Sequence, residues 1–213
     1  MANLICSPKS GSGCSCVLWL AELPKPSVDI ELLSNGDANT MHHNSHAELI
    51  TYMDLARIPD EGEPGVVDFA VELFKTLRYA HRERVVRTRV DIPLLICGES
   101  THVQTDVCIV DRSHNDILLL VQTGKRLENM DPDSARAQLV AAAVAAFNEN
   151  NAQRDALGLQ PMEDRVIPGT VMVGASPVFL QIPVTQNLFT PVRHGTYPAQ
   201  EICVIYCHPQ YFA

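Results

Sequence analysis

The chain has 213 residues, 46% of them hydrophobic, a net charge of −9, and no long charged or low-complexity tract. That length and apolar content support one sizeable core, while the acidic balance excludes a protein that coats nucleic acid by charge alone, because phosphate binding needs a positive face. The N-terminus has no basic stretch leading into an apolar run of signal-peptide length, and the most apolar short segment, Cys16 to Ala21, is too brief to span a bilayer. A soluble intracellular protein, cytoplasmic or nuclear and with no membrane partner, is expected. Seven cysteines, several inside apolar strands, predict reduced and mostly buried thiols in place of a disulfide framework.

In chain order, residues 1–45 string together turn-formers such as Gly11-Ser12-Gly13, Pro24-Lys25-Pro26 and Asn35-Gly36 without periodicity, predicting an irregular arm ahead of a single domain over 46–213. His42-His43-x2-His46 in this arm predicts a solvated loop with at most adventitious metal binding. Ser45 is placed to cap a helix running to about Arg57, and Pro59 to Gly65 form an acidic loop. A second helix is predicted from near Val66, its apolar positions Phe69, Leu73, Leu77 and Ala80 stepping by three or four. Six of the sixteen Lys and Arg residues fall between Lys75 and Arg89, and Lys75, Arg78 and Arg82 share a face if that stretch is helical. This ridge reads as the solvated face of an amphipathic helix, or as a local basic surface on an acidic molecule.

From Arg89 the pattern turns to β-rich runs at 90–97, 105–110 and 117–121, with turn residues between them. A helix capped by Asp131 and opened by Pro132 is predicted to about Asn148, buried on most of its circumference because Leu139 to Phe147 is almost continuously apolar. A short helical turn ending near Gly158 and strands at 170–173, 178–182 and 202–207 complete an α/β domain with a central mixed sheet flanked by helices.

An aspartate on the second strand, Asp106, a lysine at the end of the third in Gln122-Thr123-Gly124-Lys125, and a helix behind them resemble the PD-(D/E)xK nuclease-like fold, with its core of helix, three strands, helix and strand. A looser resemblance to large fungal protein families spans roughly residues 92–209, on Cys97-Gly98-Glu99, the Asp106 strand, Gln138-Leu139 to Asn148, and Pro183-Val184-Thr185. The resemblance implies phosphodiester hydrolysis in nucleic acid with Mg²⁺ or Mn²⁺, which polarises the phosphoryl oxygen and activates water. Asp106 and the Gly124 carbonyl would then be metal ligands, Lys125 would orient water or steady charge, and Glu72 and Gln138 would assist from the neighbouring helices. This chain departs from the family at Thr123, which stands where relatives carry a carboxylate. Strand alternation puts 123 on the face of 125 and turns Gln122 away, and a neutral hydroxyl limits metal affinity. Glu99 or Asp111 is a possible substitute ligand.

Two other classes stay open. One is a non-catalytic pseudo-nuclease module binding a protein or nucleic acid, for which net acidity favours a protein. The other is a thiol- or metal-dependent enzyme using Cys97 or Cys108 with His102 or His208, or a Cys203-x3-Cys207-His208 cluster, whose spacing is not that of a known zinc site. No nucleotide cofactor is implied, since Thr123-Gly124-Lys125 lacks the upstream glycine of a Walker loop and no dinucleotide glycine fingerprint follows a strand.

Overall fold

The computed structural model describes residues 29–34, 36–58, 62–123, 132–199 and 203–207. A short helix α1 (Ile30–Ser34) and a single 3-10 turn (Ala38–Thr40) lead into α2 (Asn44–Arg57) and α3 (Gly62–Thr76). Then come β1 (Arg84–Ile96), β2 (Glu99–Asp111), β3 (Asp116–Thr123), α4 (Pro132–Ala156), β4 (Asp164–Val173), β5 (Ser176–Thr185), α5 (Gln186–His194) and β6 (Ile205–Cys207). The six strands form one sheet in chain order. Every neighbouring pair is antiparallel except β3 and β4, which run parallel because α4 carries the chain back across the sheet. The chain is therefore α/β with a mixed sheet.

Helices cover both faces. Phe69, Ala70 and Phe74 of α3 and Leu49 and Ala56 of α2 pack with Val107, Ile109 and Val121 on one face. On the other, α4 from Ala135 to Phe147 and Phe189 of α5 pack with Ile92, Cys108, Leu120, Ile167 and Ile182. Gly169 lets α4 approach β4 closely, since a Cβ there would lie 2.7 Å from Leu139 Cδ2. No helix among the described residues is long and apolar enough to cross a membrane.

Several elements differ from their sequence expectations. The N-cap of α2 is His43, without a side-chain cap bond, rather than Ser45. Helix α3 opens earlier than Val66, with Pro64 tolerated in its first turn, and stops at Thr76. It stops there because Arg78 N–H bonds Lys75 O and Tyr79 N–H bonds Phe74 O while Arg78 adopts φ 59°, the C-terminal motif in which glycine usually stands. The Phe74 and Tyr79 rings close it edge to face at 5.7 Å. Lys75, Arg78 and Arg82 consequently do not share a helix face, and the basic residues continue into β1 instead. Strands β1 and β2 are longer than expected, joined by a two-residue turn in which Cys97 and Gly98 both have positive φ. Helix α5 was not anticipated, although Thr185, which accepts from Leu188 N–H, and Gly195, at φ 68°, are ordinary start and stop signals.

The helix α4 runs past Asn150 and Asn151, where the sequence suggested a break, because both amides serve tertiary bonds. Asn150 is fully buried; its Oδ1 accepts from Ile117 N–H at 2.7 Å and its Nδ2 donates to Ile117 O at 3.0 Å. Asn151 holds Met162 N–H and O in the same way at 2.7 and 3.1 Å. Asn150→Ala should lower unfolding free energy by about 3 kcal/mol in urea titrations, because two buried backbone groups lose their partners. A loss below about 0.5 kcal/mol, the scale of a surface change, would refute this role.

Candidate functional site

Asp106 stands at a crease in the sheet. On β1, Val85 packs on the α4 face and Val86 on the α3 face, yet Val90, Ile92 and Leu94 are again on the α4 face. On β2, Val103, Cys108 and Val110 lie on the α4 face and Val107 and Ile109 on the α3 face. Alternation has shifted by one residue on both strands. The pair left out of the ladder is Arg89, at φ 51°, opposite Asp106. A residue at such a point belongs to neither face.

Asp106 is therefore reached from both sides of β3. Its Oδ2 accepts Gln122 Nε2 at 2.9 Å, Thr123 backbone N–H at 2.6 Å and Thr123 Oγ1 at 2.8 Å. The expectation that Gln122 turns away is corrected in this respect: the crease at 106 lets residues on opposite faces of β3 meet one carboxylate. Beside it, Thr105 Oγ1 lies 3.0 Å from both Val107 O and Val121 O. The ladder between β2 and β3 ends at Val107 and Val121, and these side chains replace its next rungs. Asp106 is 7% exposed and its bonds are to neutral donors, whereas buried Asp116 meets Arg165 Nη1 at 3.2 Å. Arg89 faces Asp106 in register but forms no ion pair with it among the described residues. Gln122 Oε1 is buried without a partner, because the carboxylate claims the donor end of the amide.

Of the other expected residues, none among those described hydrogen-bonds to Asp106. Glu72, on α3, is buried and pairs with Lys75 Nζ at 3.3 Å on its own helix. Gln138 is exposed on α4, across the sheet from α3. Gly124 and Lys125, like Asp131, lie outside the described residues. Glu99 is exposed at the start of β2, and Asp111, at its end, holds the Ser113 hydroxyl and backbone N–H, which keep its carboxyl below the usual range. Among the described residues no group of three His, Cys, Asp or Glu side chains is placed to hold a metal ion. The donors gathered on Asp106 Oδ2 do not suit Mg²⁺ at that oxygen: it already carries three of them, and Thr123 donates where the family pattern has an anionic ligand.

The thiols offer no better centre. Burial pushes the Cys108 thiol up to about 11, against a smaller opposing pull from Arg87, so it stays protonated at neutral pH. Contrary to the expectation of buried thiols, Cys97 and Cys203 are exposed; both are free. The side chains of Cys207 and His208 lie outside the described residues.

The N-terminal histidines are ordered around Glu31. Its Oε1 meets His42 N–H at 2.8 Å and His42 Nδ1 at 2.7 Å, and its Oε2 meets His46 Nδ1 at 3.0 Å, tying α1 to the start of α2. The His42 N–H, then the His46 and His42 rings, draw the Glu31 carboxyl from 4.5 down to about 2. A carboxyl lowered by folding stabilises above its unfolded value and loses that contribution as pH falls through its folded one. The tie should thus be complete above pH 4.5 and fade toward pH 2, read as a His42 amide-proton shift titrating near 2 and absent in Glu31→Gln.

Asp106→Ala should cost about 3 kcal/mol in urea unfolding, since it strands buried donors, and Thr123→Ala about 1 kcal/mol. Equal stability of Asp106→Ala and the natural chain would show that the carboxylate does not hold the fork.

No protein-family model matches the chain, and no curated protein matches it.

Proposed function

We propose that the chain is a nuclease-like α/β domain of PD-(D/E)xK type with a dormant centre, acting as a non-catalytic module that engages a macromolecular partner through its surface. The order α3, β1 to β3, α4, β4 supports the fold. One observation carries the dormancy: Thr123, at the place of the second carboxylate, donates both its N–H and its hydroxyl to Asp106. Two carboxylates there would repel unless a divalent cation sat between them, whereas threonine satisfies the aspartate without one. The site is thereby converted from cation binding to strand joining. Lys125 and Gly124 keep the chemical types of the motif but have no second acid to work with.

The reading is tested by cleavage of single- and double-stranded DNA and RNA with Mg²⁺ or Mn²⁺, using the natural chain, Asp106→Ala and Thr123→Glu, each checked for folding by circular dichroism. The natural chain should not cleave. Metal-dependent cleavage by the natural chain that disappears in Asp106→Ala would overturn dormancy and establish a live hydrolase. Cleavage gained only in folded Thr123→Glu would show that the missing carboxylate alone silences the centre.

A further inference from the structure

A cleft of about 230 Å³ lies beside the outer strand β1 on the α4 face, with Arg89 of the crease in its lining. Its lining is mixed: Val90 and Pro93 present apolar surface, Ile92, Val110 and Ile117 are buried, and Arg87, Arg89 and Asn115 are exposed. We propose that this cleft binds a small organic oxyanion, a carboxylate or a phosphate ester, gripped by Arg87 and Arg89.

Three observations carry the assignment. Both arginines are exposed, and neither guanidinium has a hydrogen bond or ion pair among the described residues. Carboxylates are within reach: Glu149 and Asp91 also line the cleft, but Glu149 Oε1 accepts Gln153 Nε2 at 2.8 Å and Asp91 Oδ1 accepts Gln104 Nε2 at 3.2 Å. The two arginines are thus left with open donors facing a concave, part-apolar space.

The second observation is the backbone of Arg89. Its φ of 51° is a conformation that glycine or asparagine takes readily and a long side chain takes at a cost of about 1–2 kcal/mol. Third, every Lys or Arg between Thr76 and Thr123 is arginine. The planar guanidinium matches the paired oxygens of carboxylate and phosphate, which the point charge of lysine does not. The influence of Arg87 on Cys108, across β2 in register, places its charge over the α4 face of the sheet, where the cleft opens. The apolar surface of Val90 and Pro93 beside the arginines favours an oxyanion carried on a hydrocarbon group over a bare inorganic ion.

The test is calorimetric titration of the full chain with inorganic phosphate, phenyl phosphate and benzoate, for the natural protein, the double variant R87Q/R89Q, Glu149→Gln, and Arg57→Gln as a distant control. Saturable binding of phenyl phosphate or benzoate is expected, weakened at least about tenfold in R87Q/R89Q, unchanged in Arg57→Gln and strengthened in Glu149→Gln, which removes a like charge from the rim. The preferred probe separates the phosphate ester from the carboxylate, and inorganic phosphate binding as tightly as phenyl phosphate would overturn the role of the apolar lining. No saturable binding below about 10 mM, weaker than the affinity scale of even slight ligand recognition, would overturn the site. So would equal binding by folded R87Q/R89Q, or weaker binding by Glu149→Gln. None of these outcomes depends on whether the Asp106 centre cleaves nucleic acid.

Discussion

The arrangement of this sheet turns on one carboxylate oxygen. Where β2 and β3 part, the backbone ladder runs out, and Asp106 Oδ2 gathers the N–H of Thr123, the hydroxyl of Thr123 and the amide of Gln122 in its place. A buried anion is costly unless its lone pairs are filled, and three donors supply that compensation. The same three bonds set the direction in which β3 leaves β2 for its parallel pairing with β4. The crease at Arg89 and Asp106 is the geometric condition for this, since only there can one side chain meet donors from both faces of β3.

That dual use explains the chemistry of the candidate centre. A strand-end aspartate within a helix, three strands and a helix reads equally as a metal ligand or as a cap for orphaned N–H groups. Its neighbours decide between the two: with an acid at 123 the aspartate would need a cation, and with threonine it needs none. The structural role of Asp106 follows from the threonine at 123, which donates to it twice.

The layers and the order of the main elements were legible because they depend on periodicity: three-to-four spacing along α3, β-rich runs for β1 to β3, and the nearly unbroken apolar run of α4. What was not legible arose where a local signal was overridden. Asn150-Asn151 looks like a helix end, but long-range bonds to Ile117 and Met162 keep α4 intact. Arg78 does not look like a helix stop, yet it occupies the position that glycine normally fills. The phase shift on β1 and β2 leaves no mark in composition, so alternation assigned Gln122 to the wrong surroundings. Tertiary partners, which no short window contains, made each of these decisions.

The parallel contact of β3 with β4 also shapes how the chain finds its native state. The β1–β2, β2–β3 and β4–β5 pairs are local hairpins that close over short loops, whereas Val121 meets Thr170 only after α4 has formed and swung back. Closing that long loop must precede its energetic return, so the two hairpin groups form early and their joining governs the folding rate. Until then the β3 and β4 rims are unpaired edges in the middle of the nascent sheet. Unpaired edges of that kind are where chaperone capture or exchange of strands between copies would compete with folding.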